Sequence, residues 1–150
     1  MNILFGSGAG GSQHRRGLLR GGVRLIAALA LPLAAGCGDG RLQKQLASGR
    51  AAAEPCNGQL HDSAEEFRDC IRLRAASGAP AERLGALFYG WVMADSAVMF
   101  SVDGAEPIAR ELARDAATLQ RQLGIPDPVL CATVQADCRR LQARREAALK

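Results

Sequence analysis

No acidic residue precedes Asp39, although Arg15, Arg16, Arg20 and Arg24 do. The chain also has only two histidines, one of them His61, and no Cys-x-x-Cys pair. It contains no nucleophile motif, no internal repeat and no paired acids placed together by spacing. Each absence excludes something. Without clustered His and Cys at ligand spacing no zinc site is expected, and without a nucleophile or an acid pair no enzyme is expected. The run Gly6-Ser7-Gly8-Ala9-Gly10-Gly11 has the look of a phosphate loop, but it follows no strand and opens no helix, so no phosphate or other cofactor is assigned to it. The formal charge of +4 and the pI near 9.1 point toward nucleic acid only until the charges are placed. Nineteen lysines and arginines less the four that lead the chain leave fifteen, against fifteen acids. From Cys37 onward the side chains balance, which removes the electrostatic argument for a nucleic-acid partner.

The organising stretch is Val23 to Cys37, VRLIAALALPLAAGC. Its apolar run, Leu25 to Leu33, is far short of the roughly 20 residues of a membrane-spanning helix. A positive lead, a short apolar run and small residues are the grammar of a processed export signal. Leu33-Ala34-Ala35-Gly36-Cys37 resembles the lipobox of bacterial lipoproteins, with Ala34 where Leu is commoner. The resemblance implies a diacylglycerol on the Cys37 thiol, cleavage before that residue and a lipid anchor in the membrane. Gly38 follows where Asp marks inner-membrane retention in enteric bacteria, which implies the outer membrane, facing the periplasm. Gln13 to Arg20, with its Arg15-Arg16 pair, looks like a twin-arginine signal with His14 in place of Ser or Thr. The alternative is a start at Val23, giving a signal of fifteen residues and leaving residues 1–22 untranslated.

The reading divides the chain into a signal peptide at 1–36, a lipidated N-terminus and flexible tether at 37–55, and a helical domain at 56–150. The tether is small and polar, with a weak helix at most around Leu42 and Leu46. Extended, its residues reach about 60 Å at most. Four helices are expected after it. The first starts at Ser63, whose spacing to Glu66 is that of a capping box, and Gly78 before Pro80 ends it with a left-handed cap. The second, about Pro80 to Phe100, is the most apolar. Leu84, Leu87, Phe88, Trp91, Val98 and Met99 form its main face, and Ala86, Gly90 and Ala94 form a small-residue stripe that admits another helix. Asp95 within it costs about 3 kcal/mol at a bilayer centre, so a buried core helix is expected rather than a span. Asp95 itself reads as a boundary residue, paired with an arginine or capping a neighbouring turn; a buried acid or base is the functional alternative.

The third helix is capped by Asp103 with Glu106 and carries Ala105, Ile108, Leu112, Ala116, Leu119 and Leu123 on one face. Arg110, Glu111, Arg114 and Arg121 face outward, and Gly124 closes it. The fourth opens at Asp127-Pro128 and runs to about Ala148, with the basic run Arg139, Arg140, Arg144, Arg145 and Lys150 on a solvated face; contact with anionic lipid or cell-wall polymer is the sharper alternative. The fold class is therefore all-α: a small up-down bundle of about four helices, braced by disulfides.

Besides Cys37, four cysteines remain, an even number that suits an exported domain. On one continuous helix Cys131 and Cys138 lie roughly 10.5 Å apart along the axis, beyond the Cα separation of about 7 Å that a disulfide tolerates. Antiparallel first and last helices then give the nested pairs Cys70–Cys131 and Cys56–Cys138. Cys56–Cys70 with two free thiols is the alternative. The function expected is a non-enzymatic, membrane-anchored envelope lipoprotein, an adaptor or assembly or structural accessory with a protein partner and no small-molecule substrate. A secretion-pilot-like lipoprotein that binds a partner helix in a groove beside Trp91, or a small envelope enzyme, are the other readings.

Overall fold

The computed structural model describes residues 36–150, with side chains from Gly40 onward. The signal peptide, the twin-arginine-like stretch and the glycine run lie outside the described residues, apart from the backbone of Gly36. The elements are α1 (Gly36–Ala53), a 3₁₀ turn (Glu54–Gln59), α2 (Ala64–Ala76), α3 (Pro80–Met99), α4 (Ala105–Leu123), α5 (Asp127–Val134) and α6 (Cys138–Leu149). No strand occurs among the described residues. The all-α expectation holds, but the described residues form six helices rather than four, because the tether is helical and the last helix is two.

The stretch expected to be a flexible tether is α1. Its composition from Arg41 to Ala53 is rich in Ala, Leu, Gln, Lys and Arg, all good helix formers. Leu46 and Ala53 are fully buried. What docks the helix is glycine. A Cβ on Gly49 would stand 1.8 Å from the Glu82 carbonyl oxygen, and one on Gly85 would stand 2.1 Å from that of Leu46. The two backbones therefore touch, and Cα–H groups point at carbonyl oxygens of the facing helix. As residue numbers rise in α1 their partners fall in α3, so the two helices are antiparallel.

Helix α3 is the hub, packed by α1, α2, α4 and α5. Leu84 and Trp91 are fully buried, with Leu87, Phe88, Tyr89 and Ala94 beside them. Phe88 meets Trp91 edge-on at 5.3 Å between ring centroids. Gly90 does admit a neighbour: a Cβ there would be 2.7 Å from Cγ2 of Ile71 in α2. Met99, expected on the buried face, is 45% exposed instead, since the helix ends there and its last turn outruns the core.

The caps hold in part. Ser63 Oγ accepts from Glu66 N at 3.2 Å and starts α2. Gly124 closes α4 in the left-handed region at φ 63°. Gly78 is not left-handed; α2 ends on Ser77 at φ −98°. Asp103 is not the cap of α4 either. Ser101 (φ 57°) and Gly104 (φ 74°) make a tight reversal that puts Ala105 N on Val102 O, so α4 begins one residue late for that cap. Asp127 lies inside α5, with Pro126 at the N-cap.

The nested disulfides are corrected. The bonds are Cys56–Cys70, with Cα atoms 5.8 Å apart, and Cys131–Cys138, with Cα atoms 5.2 Å apart. Neither Cys70–Cys131 nor Cys56–Cys138 forms. The axial-rise argument fails because the helix breaks between the two late cysteines. Gln135 turns left-handed at φ 54°, Ala136 N returns to Cys131 O, and Asp137 caps α6 through Arg139 N at 3.0 Å. The chain folds back and brings Cys138 to Cys131. Each bond is local: one staples the 3₁₀ turn to α2, the other α5 to α6.

Candidate functional site

Two polar clusters hold α6 against the rest of the domain, and both are built from charges that the sequence placed at scattered positions. In the first, Asp95 of α3 is buried at 8% exposure and receives both Nε and Nη2 of Arg144, the latter at 2.8 Å from Oδ1. This is a bidentate pair, the strongest geometry open to these groups. The hydrogen bond that Arg144 donates to Asp95 holds its guanidinium above the ordinary pKa, outweighing the opposing effect of burial. The expectation of a boundary carboxylate paired with an arginine is met.

The second cluster centres on Asp127. Its Oδ1 accepts from Gln120 Nε2 and Arg145 Nη2, and its Oδ2 accepts from Gln142 Nε2, each at 2.7 Å. Arg145 Nη1 also donates to Gln120 Oε1 at 2.6 Å, and Gln120 Nε2 to Ile125 O at 2.8 Å. Burial pushes the Asp127 carboxyl up, but the three donors together outweigh it and hold it below the usual carboxylate range. The basic run at the chain end is thus divided. Arg144 and Arg145 turn inward as structural cations, while Arg139 and Arg140 are exposed.

Three open grooves lie between helices. One of about 600 Å³ runs along the end of α4 and the Gly124–Asp127 corner, lined by Arg114, Arg121, Ile125, Asp127, Arg145 and Leu149. Another, about 540 Å³, lies between α3, α4 and α6 over an alanine floor of Ala109, Ala143 and Ala147, with Asp95 and Arg144 on one side and Glu106 and Arg110 on the other. Sequence reasoning found no second carboxylate for Asp95; the fold brings Glu106 to the same groove. Each of these acids is neutralised by its own arginine, since Arg110 Nη2 donates to Glu106 Oε1. The third groove, about 330 Å³ between α2, α3 and α4, includes Arg72 and Asp115, paired at 2.9 Å.

Trp91, the residue beside which a partner-binding groove was to be looked for, is fully buried, and its Nε1 has no partner. The crevice next to it, bordered by Phe88, Cys131, Leu141 and Gln142, has no volume open to a water-sized molecule. Among the described residues no group of three or more His, Cys, Asp and Glu is arranged to hold a metal ion, and no helix is long and apolar enough to cross a membrane. Cys37 falls in the first turn of α1, its side chain outside the described residues. Sequence reasoning missed the α1–α3 glycines and the Asp127 cluster. Gln120, Asp127, Gln142 and Arg145 carry no motif, and only the fold collects them.

One surface feature stands apart. Phe100, at the end of α3, is 80% exposed. Compared with known proteins, the chain matches no family model, no curated protein and no solved structure.

Proposed function

We propose that the chain is a lipid-anchored protein of the bacterial cell envelope, held by an acylated Cys37 and acting without catalysis as an adaptor, assembly or structural accessory. The observation that carries this reading is the Leu33-Ala34-Ala35-Gly36-Cys37 sequence behind a short apolar run. The cysteines support it: all four that follow Cys37 are paired in disulfides, as suits an oxidising compartment outside the cytoplasm. That leaves Cys37 as the odd cysteine of the five, the one the anchor reading assigns to acylation. Gly38 favours the outer membrane, facing the periplasm. Two acyl chains suffice for stable anchoring, where one binds marginally. The long helices are then read as an up-down bundle, in line with the antiparallel contact of α1 and α3.

The structure changes how such an anchor would work. Helix α1 begins at Gly36 and packs on α3 from Leu46, so the domain would stand close to the bilayer rather than on a long leash. A secretion-pilot-like role is disfavoured by the filled surroundings of Trp91. An envelope enzyme is disfavoured by the arginine pairing of Asp95 and Glu106. The test is expression of the full chain with an alkyne-tagged fatty acid, followed by intact-mass measurement. The wild type should carry label and the mass of a diacylglycerol on Cys37, and Cys37→Ser should carry neither. An unacylated, uncleaved wild type overturns the reading.

A further inference from the structure

The corner between α3 and α4 presents an apolar tip that the core does not use. Phe100 is 80% exposed and Met99 45%, adjacent in sequence at the end of the hub helix. Ser101, left-handed at φ 57°, turns the chain immediately after Phe100. A non-glycine residue in that region is uncommon, and here it begins the reversal into α4. Cations flank the tip. Arg140 Nη2 lies 3.5 Å from Met99 Sδ, which brings the first turn of α6, with exposed Arg139 and Arg140, to the same corner. Asp137 accepts from the backbone N–H groups of Arg139 and Arg140 and caps the start of α6. Asp103 is the remaining acid in the reversal, and Glu106 is held by Arg110.

The direction of the tip matters. Because α1 and α3 are antiparallel, the N-terminal half of α1 and the C-terminal half of α3 run toward the same end of the domain. Exposed Arg41 and Lys44 lie on that half of α1. Cys37, the tip, Arg139 and Arg140 therefore belong to one end, whereas Arg41 and Lys44 stand level with the middle of α3. An exposed aromatic tip with long cationic side chains beside it fits an interface in which apolar groups enter the acyl boundary and cations meet phosphates.

We propose that this end is a membrane-contacting face: Phe100 and Met99 enter the headgroup boundary of the leaflet that carries the Cys37 lipid, with Arg139 and Arg140 on its anionic headgroups. The proposal rests on the lipid-anchor reading, and its test separates the two. The lipidated full chain is reconstituted into phosphatidylethanolamine–phosphatidylglycerol vesicles whose acyl chains are brominated near the headgroup, which quenches tryptophan on contact. Acylation is first verified by intact mass. Phe100→Trp replaces an exposed side chain and leaves the core untouched. Its added emission should be largely lost, while Leu73→Trp, exposed on α2, should keep its emission, with buried Trp91 a common background. Adding Arg139→Glu and Arg140→Glu to Phe100→Trp should restore much of the signal. An unacylated chain overturns the anchor and this face with it. Acylated protein with unquenched Phe100→Trp, or with Leu73→Trp equally quenched, overturns the face alone and leaves the corner to a protein partner. Quenching indifferent to the two arginine changes overturns the headgroup contact.

Discussion

Two helices of this fold, α1 and α6, are held by opposite means. Helix α1 lies on α3 backbone to backbone through Gly49 and Gly85, with Leu46 sealed between. Helix α6 buries little apolar surface, only Leu141 among its large side chains, and is tied by Arg144 to Asp95 and by Arg145 to Asp127. The first contact has no tolerance for an added atom. The second has tolerance for shape but none for losing one partner of a buried pair. The difference can be broken from either side.

The largest effect is expected at the glycines. Gly85→Ala and Gly49→Ala each drive a methyl into a facing carbonyl oxygen, which cannot swing away as a side chain can. Alanine also gains about 1 kcal/mol of helix propensity over glycine, and overpacking must exceed that to register. A net loss of about 3 kcal/mol is expected, near the upper end for overpacked sites, with a fall in Tm on the order of 10 °C. Gly90→Ala meets the side chain of Ile71 and should cost about 1 kcal/mol. Urea unfolding of the three variants checks the order; equal, small losses at all three would mean that α1 is not seated on α3.

Next comes Arg144→Ala, which leaves Asp95 buried and unpaired. A loss of about 3 kcal/mol is expected, the low end for a broken buried pair, because the groove beside it admits water. The double variant Asp95→Leu/Arg144→Leu should recover most of that loss, since the desolvation cost goes with the charges. A double variant no more stable than Arg144→Ala would show that the pair contributes more than it costs.

The same contrast governs what could be read from the sequence. The helix from Pro80 and its centrality were legible because large apolar residues recur on more than one side. The pairing of Asp95 with an arginine was legible because a carboxylate among core residues has few other options. Helix α1 was not, because its docking signal is a pair of glycines, the residues that count against a helix when propensity alone is weighed. The disulfides were misread for a related reason. The break at Gln135 is a left-handed turn in a residue without turn preference, and a continuous helix forbids the Cys131–Cys138 bond that a broken one brings together. Of the candidate site, Cys37 was legible as a motif, whereas the exposed Phe100 gave no sequence signal at all.

An effect no larger than these tests the staples. Replacing Cys131 and Cys138 by Ser removes a short loop worth about 2.5 kcal/mol on the chain-entropy model, and the Cys56–Cys70 pair about 3 kcal/mol. Non-reducing peptide mapping should recover a Cys56–Cys70 peptide and a Cys131–Cys138 peptide. Recovery of a Cys70–Cys131 peptide would restore the nested arrangement and require an unbroken final helix.

The smallest effect is a pH dependence at Asp127, the anchor of α6 that relies on donors rather than on seclusion. Burial raises its pKa, the donors Gln120, Gln142 and Arg145 lower it, and the donors prevail. A carboxylate with a folded pKa below its unfolded value binds fewer protons in the native state. Its contribution is therefore full above the unfolded pKa, about 3.9, and is lost as pH falls through the lowered folded value. Asp127→Asn keeps an oxygen acceptor for these donors but does not titrate. At neutral pH the wild type should be the more stable by about 1 kcal/mol, the extra worth of charge-assisted over neutral hydrogen bonds. Below about pH 4 the two unfolding curves should converge. A gap that persists into acid would assign the difference to the geometry of the amide rather than to the charge, and α6 would then be held by shape, as α1 is.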